Sequence, residues 1–219
     1  MVVVFDMDDT LFPEHAFVLS ALATAGDYAF KKWGVAGFAD QAIALFQAGQ
    51  RKGIFQEAFL RLNREPMTNE RVHELLQVYR THAPIALPWF PDALRAVQTI
   101  SQSHPLALIS DGFLPTQSNK AKALGIERWI PEPVFTEALG REFWKPSPKA
   151  FELVMQRHPR ENFMYVADNA SKDFIAPNAL GWRTVQVRRH EGQYRNTPAA
   201  PLGQPQQIIS SLDELILLI

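Results

Sequence analysis

Cysteine is absent from the 219 residues. That absence excludes a disulfide scaffold, a thiolate zinc site, an iron–sulfur cluster and a cysteine nucleophile. A surplus of either charge is missing too: 22 Lys and Arg stand against 23 Asp and Glu, a formal net charge of -1. A chain built to coat nucleic acid would be strongly basic, so no nucleic-acid partner is expected. No apolar run approaches the ~20 residues of a membrane span, so no membrane partner is expected either. The opening Met1-Val2-Val3-Val4-Phe5-Asp6 lacks the basic region of a signal peptide, and a cytoplasmic location is the expectation. Apolar residues are plentiful instead: 47% of the chain is hydrophobic and 21% charged. That supports a sizeable core in one domain, or in one domain carrying an insertion.

Short apolar runs recur at Val2–Phe5, Leu106–Ile109, Val134–Phe135, Phe163–Ala167 and Thr184–Val187. They are rich in β-branched and aromatic residues, too short for helices, and apolar on both faces, as buried strands of a parallel sheet are. Helical stretches lie between most of them. Ala93–Ser101 is one; another opens at Ser147-Pro148 with an N-cap followed by proline at the first helical position. Ser211-Leu212-Asp213-Glu214 matches a capping box for a short last helix. Thr197–Gln207, with three prolines, reads as a surface loop. The alternation predicts an α/β fold with a doubly wound, Rossmann-like parallel sheet. One region breaks it. His15–Lys32, Ala39–Gln50, Ile54–Asn63 and Asn69–Arg80 all carry helical apolar spacing. The predicted organisation is therefore a core of residues 1–13 and 84–219 with a helical insertion at 14–83.

In such sheets ligands bind beyond the carboxyl ends of the strands. The first strand is followed by Asp6-Met7-Asp8-Asp9-Thr10 and the second by Ser110-Asp111-Gly112. Lys145-Pro146 precedes the fourth, and Asp168-Asn169 and then Asp173 follow it. Carboxylates crowded on one edge repel one another unless a cation neutralises them. Oxygen ligands without His or Cys favour a hard ion, most naturally Mg²⁺. Mg²⁺ with a serine and a lysine is a receptor for a phosphoryl group.

Asp-x-Asp-x-Thr, Ser, Lys-Pro and Asp-x-x-x-x-Asp, in that order and each at a strand end, resemble the four motifs of the haloacid dehalogenase superfamily. The resemblance spans nearly the whole chain, and the helical insertion resembles the C1 cap of subfamily I. It implies sheet order 3-2-1-4-5 and a Mg²⁺-dependent phosphatase acting on a small phosphorylated metabolite such as a sugar phosphate or nucleoside monophosphate. By the same resemblance Asp6 is the nucleophile that forms an aspartyl-phosphate, and Asp8 is the acid and then the base. Ser110 binds a phosphate oxygen, and Lys145 offsets negative charge. The metal is held by the Asp6 carboxylate, the Asp8 carbonyl and Asp168, with Asp173 in support directly or through water. Three departures from the common pattern stand out. Asp111 replaces a frequent Asn and brings a negative charge near the phosphate unless it turns away. Ala167 replaces a frequent Gly. Asp8 is an acid where the true dehalogenases of the superfamily have none.

Other residues have plainer readings. Thr10 is expected to fix the turn, Lys172 to be a surface or salt-bridging residue, and Arg188-Arg189 to be solvated. The aromatics of the insertion, Phe17, Tyr28, Trp33, Phe46, Phe55 and Phe59, read as its core. Two alternatives share the motifs: a phosphomutase, and a receiver-like phospho-switch module. The chain's length, its insertion and its two late acids count against the receiver.

Overall fold

The structure, a computed structural model, describes residues 1–190 and 192–219. By its own contacts the chain divides into a unit of residues 1–14 with 86–219 and a unit of residues 15–85.

The first unit is built on a parallel sheet of β1 (Val2–Phe5), β2 (Leu106–Ser110), β3 (Val134–Phe135), β4 (Phe163–Ala167), β5 (Arg183–Val187) and β6 (Gln207–Ile209). Their order is β3-β2-β1-β4-β5-β6. Every residue of β1, β2 and β4 is buried, so both faces of the sheet are covered. That accounts for the unbroken apolar runs. One face packs Val2, Val4, Ile109, Tyr165 and Trp182 together with Phe151 and Phe174. Val3 aligns with Leu106 on one side and Met164 on the other, and this register carries Asp6, Ser110 and Asp168 out at one end of the sheet.

The expected order is present with one strand more. β6 begins at Gln207, the last residue of the expected loop, and only Ile209 of its three residues is buried. A three-residue edge strand leaves no readable period. The last helix is corrected to a single 3₁₀ turn at Glu214–Leu217. Its capping box forms nonetheless, since Glu214 Oε1 accepts from the Ser211 N–H at 3.1 Å and Ser211 Oγ accepts from the Asp213 N–H at 3.2 Å. Among the core helices, α5 spans Pro91–Ile100 and α7 spans Lys149–Arg157. α7 starts one residue later than expected, with Pro148 at the cap position and Ser147 Oγ taking the Lys149 N–H at 3.4 Å. α6 (Leu114–Leu124) was not expected, and α8 is a short helix at Ile175–Ala179.

The second unit holds α1 (Glu14–Trp33, whose first residue belongs to the core), α2 (Phe38–Gln47), α3 (Ile54–Asn63) and α4 (Asn69–Thr81). Its core joins Leu22, Ala25, Phe38, Leu45, Phe55, Phe59 and Leu75, with Tyr28, Trp33 and Phe46 packed against it. Gly26 sets the α1–α2 approach: a Cβ there would lie 2.4 Å from Ala39 Cβ. Thr68 caps α4 by accepting the Arg71 N–H at 3.3 Å. His82 lies between Ser20 Oγ (2.8 Å from Nε2) and Thr24 Oγ1 (3.1 Å from Nδ1).

Candidate active site

The ends of β1 and β4 and the segment that carries Lys145 bring their side chains into a single cluster in the core unit. Asp6 leaves β1 with its N–H bonded to Val166 O of β4 at 2.9 Å. Its Oδ1 accepts from Lys145 Nζ at 2.5 Å. The same ammonium donates to Tyr165 Oη at 2.9 Å and to Asp173 Oδ1 at 3.0 Å. A lysine has three donors, and here each has its own acceptor. Asp173 Oδ2 accepts from the Asn169 N–H at 3.1 Å, which closes the loop after β4. Asp168 is buried beside them. Carboxylate oxygens of Asp6, Asp168 and Asp173 all lie within 4.8 Å of one another.

The charges are unbalanced. Three buried carboxylates face one ammonium. Burial pushes the Asp6 carboxyl up to about 7, with Lys145 pulling it down and Asp173 pushing it further up. Burial, then Asp6 and Asp173, raise Asp168 well above the ordinary carboxylate range. Lys145 sits well above an ordinary lysine: burial opposes its charge, but Asp173 and Asp6 outweigh burial. Asp168 Oδ2 is buried with no hydrogen-bond partner. An orphaned carboxylate oxygen within an all-oxygen set fits a hard divalent cation such as Mg²⁺.

Asp111 lines the same cleft, with its charge neutralised by Lys172. Its Oδ1 accepts from Thr136 Oγ1 at 2.8 Å and from the Lys145 N–H at 3.1 Å, and its Oδ2 from Lys172 Nζ at 2.8 Å. Burial raises its carboxyl, yet Lys145 and Lys172 hold it below the ordinary value. It thereby ties the loop after β2 to the backbone that carries Lys145. Gly112 has φ +134°, and a Cβ there would come within 3.0 Å of the Gln117 side chain.

Gln117 and Lys120 of α6 complete the site. Gln117 Nε2 donates to Asp8 Oδ2 and to Ser110 Oγ, both at 2.7 Å. Lys120 Nζ donates to Asp8 Oδ1 at 2.7 Å and to Glu14 Oε1 at 3.0 Å. Asp6, Asp8, Asp168 and Asp173 line one cleft, joined by Asp9, Glu14, Asp111, Asn169, Lys172 and Tyr194. Ser110 and Lys145 reach it through their bonds to Gln117 and Asp6.

Sequence reasoning missed Gln117, Lys120 and Tyr165. Two signals were available: a Gln-x-x-Lys pair that a helix would place on one face, and a tyrosine inside a fully buried strand, whose hydroxyl must find a partner. One plainer reading is corrected. Arg189 is not solvated: it grips Asp92 with Nη1 at 3.0 and 3.1 Å, donates to Thr10 O at 2.8 Å and stacks 3.7 Å over Phe90. The Thr10 hydroxyl is buried without a partner, so its carbonyl, through Arg189, holds the turn.

Residues 1–181 match the family model described as haloacid dehalogenase-like hydrolase. A curated relative, the glyceraldehyde 3-phosphate phosphatase of Methanopyrus kandleri, is 28% identical over 137 residues, 58% of this chain and 57% of that protein. The chain thus spans little more than half the length of that relative. Among solved structures, the HAD hydrolase YfnB of Bacillus subtilis, determined with magnesium bound, superposes with TM-score 0.67 at 20% identity. That match covers 99% of this chain and 97% of the other. The 2-haloacid dehalogenase of Pseudomonas syringae pv. Tomato superposes with TM-score 0.65 at 18% identity over 99% and 96% of the two chains. At such identities the likeness is one of fold.

Proposed function

The chain belongs to the haloacid dehalogenase-like hydrolases, and from that premise we propose that it is a Mg²⁺-dependent phosphatase of a small phosphomonoester. The observation that carries this reading is Asp8, a second carboxylate in the cleft of Asp6. A halide departs without a proton, so carbon–halogen hydrolysis has no use for an acid there. An alkoxide leaving from phosphorus needs one. The curated phosphatase relative supports the same choice.

Asp6 attacks phosphorus in line. Its Oδ1 is tied to Lys145, which leaves Oδ2 as the attacking oxygen. The bond from phosphorus to the ester oxygen breaks as Asp8 gives that oxygen its proton, leaving an aspartyl-phosphate. Asp8 then takes a proton from water as the water attacks phosphorus, and the bond to Asp6 breaks to release inorganic phosphate. Ser110 Oγ already accepts from Gln117, so its own proton is available to a phosphoryl oxygen. Lys145 orients Asp6 and offsets its charge. Asp6, Asp168 and the Asp8 carbonyl would hold Mg²⁺, with Asp173 fixing the surrounding loop. The bound ion supplies Lewis-acid stabilisation of the negative charge on the transferring group. Residues 15–85 act as a cap that selects the leaving group.

A panel of phosphomonoesters and halogenated acids, assayed with Mg²⁺, tests the reading. Turnover of a phosphomonoester and its loss in Asp6→Asn are expected. Halide release without phosphate release, or full phosphatase activity in a folded Asp6→Asn protein, would refute it.

A further inference from the structure

Asp8 stands on a loop rather than on a strand or helix, and its side chain is 22% exposed. A carboxylate so placed has several staggered rotamers within reach. Only some of them aim it at a leaving oxygen. In this chain both carboxylate oxygens are taken by one helix. Gln117 holds Oδ2 and Lys120 holds Oδ1, each at 2.7 Å. The two residues lie three apart on α6, hence on one face, and both are 2% exposed.

Neither contact is incidental. Burying an ammonium carries a large desolvation cost, and it persists only where acceptors meet it in good geometry. Among the described residues Lys120 meets Asp8 and Glu14. The Gln117 amide is fixed by chemistry as well: flipped, its oxygen would face a carboxylate. As it stands, one hydrogen goes to Asp8 and the other to Ser110 Oγ. Gln117 therefore couples the acid to the hydroxyl that meets phosphate.

We propose that Gln117 and Lys120 are positioning residues for the reaction: they clamp the Asp8 carboxylate in the orientation from which it protonates the leaving group. The proposal rests on Asp8 being the acid of the phosphatase reading. Loss of Lys120 leaves the nucleophile and the phosphate contacts in place and disturbs proton delivery, whereas loss of Gln117 also frees Ser110 Oγ, a phosphate contact common to every ester. The effect on proton delivery follows the leaving group's need for a proton.

The test compares Lys120→Met, Gln117→Met, Asp8→Asn and the double variant Asp8→Asn/Lys120→Met. The substrates are 4-nitrophenyl phosphate and the alkyl monoester turned over fastest in the panel above. Asp8→Asn should depress kcat/KM, which reports the step that expels the leaving group, for the alkyl ester far more than for the aryl ester. Each clamp variant should shift the aryl-to-alkyl ratio of kcat/KM the same way, by about 10–100-fold, the usual cost of misplacing a reacting group. In the Asp8→Asn background Lys120→Met should leave that ratio unchanged. Gln117→Met, a neutral change of similar length, carries the test if Lys120→Met does not melt cooperatively. Equal losses on both esters, or a further ratio change in the double variant, would overturn the clamp. An Asp8→Asn ratio equal to wild type would overturn the acid role itself, and is read from that single variant alone.

Discussion

Tyr165→Phe removes one oxygen from the site and almost nothing else. The ring is fully buried in β4, with Phe151 at 5.0 Å and Phe174 at 6.2 Å, and phenylalanine keeps both contacts. What disappears is the acceptor 2.9 Å from Lys145 Nζ. A hydrogen bond to a charged group contributes about 1.5–3 kcal/mol. Phenylalanine is the easier ring to bury, which would by itself stabilise the variant. That gain does not reach the lysine: its ammonium stays buried with three donors and only Asp6 and Asp173 to receive them. An unsatisfied buried donor costs more than the hydroxyl saves, so the net loss should lie within the same range. For a domain of this size each kcal/mol moves Tm by about 2–4 °C, which gives roughly 3–12 °C downward. Lys145 also gains freedom to swing, and Asp6 Oδ1 swings with it. A fall in kcat of about 10–100-fold follows from misplacement of the nucleophile, with KM little changed. Thermal melting by circular dichroism and turnover of 4-nitrophenyl phosphate measure the two effects. An unchanged or raised Tm with kcat within about twofold of wild type would show that Tyr165 does not tether the lysine, and the logic of the filled donors would fail.

Three further outcomes are expected. Asp168→Asn should weaken Mg²⁺ binding in calorimetry, yet raise the Tm of the metal-free protein near neutral pH. The raised carboxyl means that the folded protein binds the extra proton, so metal-free stability falls as pH climbs from the ordinary carboxylate value towards the raised one; a flat pH–Tm profile in EDTA would contradict this. His82, kept below the ordinary histidine value by burial, should be neutral in the folded helical unit. Protons then favour the unfolded chain, so stability present above about 6.5 is lost as pH falls through the lowered value, and a His82 proton shift followed by NMR would reveal an unshifted titration if the reasoning is wrong. Asp92 is pushed up by burial but held lower overall by the Leu212 N–H and Arg189, so Asp92→Asn should destabilise the fold at pH 7 by somewhat less than the ~3–5 kcal/mol of a fully buried broken pair, and a urea titration showing no loss would refute it.

What the sequence disclosed follows from where information is local. Asp6, Ser110, Lys145 and Asp168 were legible because each adjoins a strand whose apolar run is unmistakable, and strand ends in parallel sheets converge. Ile54–Asn63 was legible to the residue because Phe55, Ala58 and Phe59 repeat at helical spacing. α6 was not, since its buried positions include Thr116, Gln117 and Lys120. A helix that turns polar residues inward carries no apolar stripe, and the residues that hide it are the ones that hold Asp8. Arg189 misled in the same way. A basic pair in sequence looks solvated, and only the fold brings Asp92 from 97 positions away to meet it.

The point where the helical insertion leaves and rejoins the core has its own consequence. The core closes that gap unaided. Phe90 N–H binds Leu11 O at 2.9 Å, Leu87 N–H binds Ala123 O at 3.2 Å, and the Trp89 indole donates to Leu124 O at 2.8 Å. On the departing side Glu14 N–H is held by Asp9 Oδ1 at 2.9 Å. Both junctions of the insertion are thus pinned by core atoms. Closing a longer loop between pinned ends costs little more than closing a short one, because the entropy grows only with the logarithm of its length. The junction is a socket. A change in the length of the chain between these junctions should therefore leave the core's bonds in place and cost the fold little.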